Sequence, residues 1–182
     1  MLRTPEEHLK FALDHGFSQT GILNLDALVF MPEVRAMCAE DKCHHFGKTW
    51  CCPPGCGTLE EITERVKGYK HGILLQMIGH MEDEFDFEVI ENTSTAFRKS
   101  FQSLIVDLRK EGVTDLLPMG AGGCGMCDGK CTYPDAPCRH PDLAFPSMEA
   151  YGLWVAKVCE LSGLPYNNGK LTMTFIGCYL YN

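Results

Sequence analysis

The sequence predicts an α/β fold: one domain, with helices packed on a sheet of about four to five strands and two cysteine-rich metal-binding loops at strand ends. Three observations carry this expectation. A length of 182 residues suits a single domain with a sizeable core. Helical and strand patterns alternate along the chain, which is the mark of helices layered on a sheet. The cysteines gather in two Gly- and Pro-rich stretches between those patterns.

The elements follow in order. Thr4-Pro5-Glu6-Glu7 is a capping box with proline at the first helical position, and Gly16 supplies the stop. FSQTGIL (17–23) reads as a strand. Residues 38–57 are rich in Cys, Gly and Pro and read as a loop. Thr58-Leu59-Glu60-Glu61 is a second capping box, opening a helix to about Lys67. GILLQMIG (72–79) is a short apolar run that suits a buried strand. DEFDFE is polar and turn-like, and a helix is expected over 93–111, with Ala96, Phe97, Phe101, Leu104, Ile105 and Leu108 on one face. VTDLLPM (113–119) reads as a strand feeding the second cysteine loop. Ser147-Met148-Glu149 opens a further helix whose apolar stripe is Tyr151, Trp154, Val155, Val158 and Leu161, ended by Gly163. LTMTFIGCYLY (171–181) is the last strand. Each cysteine group is thus expected after a strand and before a helix. Strand ends of open α/β sheets commonly host ligands, so the two groups are expected to meet at one edge of the sheet.

Composition narrows the function. A net charge of −8 gives no footprint for nucleic-acid phosphates. The first residues carry Glu6, Glu7, Lys10 and Asp14 where a signal peptide needs an apolar run, and no stretch approaches the ~20 apolar residues of a membrane helix. A cytoplasmic protein without membrane or nucleic-acid partners is expected. In a reducing compartment, eleven cysteines argue against a disulfide framework, as does their odd number. Clustered thiolates are ligands for soft or borderline metals.

The second cysteine stretch, GGCGMCDGKCTYPDAPC, holds Cys124, Cys127, Cys131 and Cys138 in the spacing C-x2-C-x3-C-x6-C. A zinc ribbon separates two C-x2-C knuckles by a dozen or more residues. Short, uneven gaps better suit a loop wrapped round a cuboidal [4Fe-4S] cluster, one thiolate per iron. Gly120, Gly122, Gly123, Gly125 and Gly129 let backbone N–H groups approach the sulfurs, and such bonds tune a reduction potential. Zinc is the alternative. Residues 120–125 also match G-x-G-x-x-G, but the dinucleotide turn must open a helix, which CDGKCTYPDAPC cannot supply. His140 is expected to bond backbone rather than a metal. Arg139 either offsets cluster charge or pairs with Asp135 or Asp142.

The first stretch, VRAMCAEDKCHHFGKTWCCPPGCGT, holds Cys38, Cys43, Cys51, Cys52 and Cys56. Adjacent side chains point apart, so Cys51 and Cys52 are not expected to serve one metal. Cys52 is the chosen ligand because Pro53 and Pro54 follow it, as proline follows the last cysteine of bacterial ferredoxin runs. Cys56 lies just before the Thr58 cap, where a helix N-terminus favours thiolate. Either all four of Cys38, Cys43, Cys52 and Cys56 hold a second cluster, or three bind and one iron stays open as a Lewis acid. A structural zinc site is the plainer option, and His44 and His45 are further candidate ligands. Cys159 and Cys178 are read as buried packing residues.

Two of these segments, VRAMCAEDKCHHFGKTWCCPP and CGMCDGKCTYPDAPCRHPDLAFPSMEAYG, resemble the cysteine-rich blocks of the predicted metal-binding proteins gathered as domain-of-unknown-function family 2284. Phe46 stands at the family's tyrosine. The resemblance carries over to Cys38, Cys43, Cys52, Cys124, Cys127, Cys131 and Cys138, implies metal binding of the iron–sulfur kind, and fixes no reaction. The function expected is an iron–sulfur protein with one or two [4Fe-4S] clusters, serving electron transfer or redox support in anaerobic metabolism through a redox partner protein. The alternatives are an enzyme acting at an open iron of the first site, or a zinc-stabilised binding module.

Overall fold

Ten residues from Pro5 to Asp14 form α1, because Thr4 Oγ1 accepts from the Glu7 N–H and Glu7 returns the bond to the Thr4 backbone. The structure, a computed structural model, describes residues 3–128 and 130–182. The other helices are α2 (Pro32–Met37), α3 (Leu59–Val66), α4 (Phe87–Lys110) and α5 (Val155–Leu161). The strands are β1 (Gln19–Ile22), β2 (His71–His80), β3 (Leu116–Met119) and β4 (Thr172–Tyr181). All four pair antiparallel in one sheet of order β1-β2-β4-β3.

Burial along β2 is continuous from Gly72 to Met77 because both faces of the sheet are covered. On one face, Ile73, Leu75 and Met77 meet the stripe Phe97, Phe101, Leu104, Ile105 and Leu108 of α4. On the other, Leu74, Cys178 and Leu180 pack with Ile62 of α3 and Val155, Val158 and Cys159 of α5. Cys159 and Cys178 are fully buried, as the sequence predicts for packing residues.

Three expected boundaries shift. α4 starts at Phe87, six residues early, because the Asp86 side chain accepts from the Val89 N–H and caps it. The helix expected from Ser147 is two pieces, a single turn at Glu149–Tyr151 and then α5, separated by Gly152 in the left-handed region at φ +85°. A side chain at Gly152 would meet the Met31 carbonyl oxygen at 2.8 Å, since Met31 N–H bonds the Gly152 carbonyl there. The first cysteine stretch leaves α2 rather than a strand. Its neighbour α2 begins at Pro32, placed at the first turn, where proline's missing N–H costs nothing.

Candidate metal centre

Both cysteine stretches lie beside the Gly120 end of β3, and each is tied at its base. Gly120 N–H bonds the Pro146 carbonyl and Met148 N–H bonds the Gly120 carbonyl, so the second loop leaves and re-enters the fold at one point. α4 clasps this loop with its polar face: Arg98 Nη1 donates to Gly125 O, Gln102 Nε2 to Leu143 O, and Arg109 Nη1 to Asp142 O. The first loop is pinned where the Arg35 guanidinium donates to the Gly57 carbonyl. The loops also hold each other. Trp50 Nε1 donates to Ala136 O at 3.1 Å, and its ring meets Tyr133 edge-on, centroids 4.9 Å apart. Gly123 sits so close to the His45 ring that a Cβ there would fall 2.6 Å from it.

The second set comes together with one addition. Cys124, Cys127, Cys131 and Cys138 line a cavity of about 90 Å³, and the fifth thiol on its wall is Cys51 from the other loop. Cys51 is 4% exposed, and its thiol lies close to that of Cys124. The Cys51 thiol, with the Met126 N–H and the Arg98 guanidinium, pulls the Cys124 thiol below its ordinary value, against the opposing effect of burial. The adjoining Cys124 thiol, burial, and the nearby Cys138 and Cys52 push Cys51 up. His140 N–H lies 3.4 Å from Cys138 Sγ, so this histidine reaches the site through its backbone. Arg139 pairs with neither Asp135 nor Asp142 but donates to the Lys130 carbonyl. No helix starts at residues 120–125, and Gly129 lies outside the described residues.

The first set is looser. Cys38 and exposed Cys43 open onto a surface groove with Met37, Trp154 and Tyr166. Cys56 faces the other way, donating to Ala150 O at 3.6 Å and lining a cleft of about 600 Å³. Half-buried Cys52 is the link, with Cys38, Cys43 and Cys124 near enough to raise its thiol beyond the rise that burial causes. Burial also raises Cys38, and it pushes Cys56 up to about 11. His45 lines the second cavity, whereas His44 is exposed. Among the described residues, no three His, Cys, Asp or Glu side chains converge closely enough to hold one ion.

Two donors in the first loop are unspent. Arg35 Nη1 is buried without a partner, beside Cys38 and Cys56. Thr49 Oγ1 is buried against the Cys52 thiol, where it favours the thiolate, but falls short of hydrogen-bond geometry. A buried guanidinium nitrogen with no acceptor is costly, and it marks where negative charge belongs. The donor set therefore fits an anionic metal–thiolate group.

A mixed helix–sheet protein whose chemistry-bearing groups are two joined nests of thiols is, as a class, a metal-binding protein. More particularly, the chain belongs to the family of predicted metal-binding proteins DUF2284, whose model matches residues 21–181. No curated protein and no solved structure matches the chain. No helix among the described residues is long and apolar enough to cross a membrane.

Proposed function

We propose that this is an iron–sulfur protein with two cluster sites, serving electron transfer or redox support in anaerobic metabolism. Cys124, Cys127, Cys131 and Cys138 hold one [4Fe-4S] group, and Cys38, Cys43, Cys52 and Cys56 hold the other. The observation that carries the reading is the 90 Å³ cavity walled by thiols. A single zinc ion draws its four sulfurs to about 2.3 Å and fills the space among them. A cavity several times the ~10–15 Å³ that one water-sized probe occupies instead suits a group with volume of its own. When bound, such a group supplies one-electron transfer. The protein's part is to hold it, to limit water around it and to aim N–H groups and the Arg98 and Arg35 cations at its sulfurs. A redox partner protein would exchange the electrons.

One observation favours the second reading, an open iron in the first site. Cys56 is turned to the Ala150 carbonyl and the cleft, away from the groove that Cys38 and Cys43 line. Cys56→Ala separates the two. With four thiolate ligands, the variant yields a three-iron species or an empty first site. With three, both clusters persist in electron paramagnetic resonance of reduced, oxygen-free protein, and added cyanide shifts one signal. A colourless wild-type protein with no signal on reduction overturns both.

A further inference from the structure

The cleft of about 600 Å³ between the two loops has a volume in the range of small-molecule sites. Its position is unusual, because thiols from both sets reach it: Cys56 of the first, Cys138 of the second, and Cys51 between them. Its walls are otherwise largely apolar, with Trp50 and Tyr151 as aromatic surfaces and Pro134, Pro137, Pro141 and Pro146 as stiff aliphatic ones. These are surfaces for a flat ring. Trp50 is not free to swing, since its N–H is held by Ala136 and its ring by Tyr133.

Polar groups on the lining narrow the ligand further. Asp135 is the one formally charged side chain there, and the chain as a whole carries −8, so an anion is disfavoured. Trp50 Nε1 is already given to Ala136 and Cys56 Sγ to Ala150, and the Cys51 thiol lies against Cys124. The donor left is the phenol of Tyr151, itself 6% exposed and fixed in the turn before Gly152. A phenol O–H on the wall of a largely apolar cleft selects a ligand with an acceptor over an isostere without one.

We propose that this cleft binds an uncharged, flat ring compound bearing a carbonyl, held between Trp50 and the proline walls with its oxygen accepting from Tyr151. The proposal deepens the metal-centre reading by naming what would sit between the two thiol sets. Binding itself does not depend on which metal those sets hold.

The test uses two probes, 1-indanone and indane, which share a ring system and differ in the carbonyl. Both are titrated by ligand-observed NMR into oxygen-free protein with its metal in place, as wild type and as Tyr151→Phe. The expected wild-type Kd for 1-indanone is on the order of 0.1–1 mM, given the energy available to a ten-atom ligand. Indane should bind about 5–10-fold more weakly to wild type, and Tyr151→Phe should bring 1-indanone to the indane value while leaving indane unchanged. Equal wild-type binding of the two probes, an equal loss of both in the variant, or no saturable binding overturns the proposal. Metal analysis of the same samples reads the cluster assignment separately, so either claim can fail while the other stands.

Discussion

The two thiol sets are built in opposite ways. The second is a cage: one loop supplies four sulfurs, α4 clasps it from outside, and Cys51 closes it from the neighbouring loop. Its thiols face one another, and Cys51 and Cys124 shift each other in opposite directions. The first is a fan about Cys52, with Cys43 exposed, Cys56 turned into a cleft, and Arg35 Nη1 left without an acceptor. A cage holds its shape through its own bonds. A fan with a spare cation needs an anionic guest to complete it. The second site is therefore expected to assemble first and to persist longer when metal is removed.

The largest expected effect comes from breaking the cage. Cys127→Ser or Cys131→Ser should empty the second site and lower Tm by more than about 10 °C, because ligation free energy is folding free energy for a loop with little apolar content. Iron analysis and a thermal melt check this, and an unchanged metal content would show that the cage is not the ligand set. Next is Leu104→Ala, fully buried on the α4 face of the sheet. It should cost about 2–5 kcal/mol while leaving metal per folded protein unchanged, read by urea unfolding beside metal analysis.

A pH effect of intermediate size lies away from both sites. His8 is 1% exposed, and its Nδ1 shares a 2.9 Å hydrogen bond with the Tyr179 hydroxyl. Burial, with Arg3 and His71 nearby, lowers its pKa to about 4 from an ordinary 6.5. The unfolded chain thus binds the proton more readily. The stability His8 contributes is complete above pH 6.5 and is lost as pH falls towards 4, by up to about 3 kcal/mol. His8→Gln should flatten that part of the stability profile in urea titrations at pH 4.5 and 7.5, and a wild-type slope in the variant would contradict the assignment. Smaller again is Thr58→Ala, which removes the α3 cap just past Cys56 at a cost of about 1 kcal/mol. Should it also release metal from the first site, that site leans on α3 more than the fan description allows.

Local signals were the legible ones. Both capping boxes, at Thr4 and Thr58, formed as read because a cap needs only residues three positions apart. All four strands were legible, though only β2 as a continuous apolar run. Their antiparallel order was not, since pairing joins residues as far apart as His71 and Tyr181. The cap at Asp86 was visible in principle but hidden among Asp83, Glu84 and Glu88, which read as a turn. At Gly152 the apolar stripe ran on across the break, and the left-handed backbone and the approach of Met31 that call for the glycine appear only in the fold. The divergence of Cys51 from Cys52 was legible from backbone geometry alone. That Cys51 turns to Cys124 required the fold, as did the Tyr151 cleft and the unspent Arg35 nitrogen.

The central claim is that these thiol nests hold iron–sulfur groups rather than single ions. Iron, zinc and acid-labile sulfide, measured per chain on protein purified without oxygen, test it most directly. Two occupied sites predict about eight irons and eight sulfides with zinc near zero, and a filled cage with an empty fan predicts about four of each. Colourless protein with stoichiometric zinc and no sulfide would contradict the account.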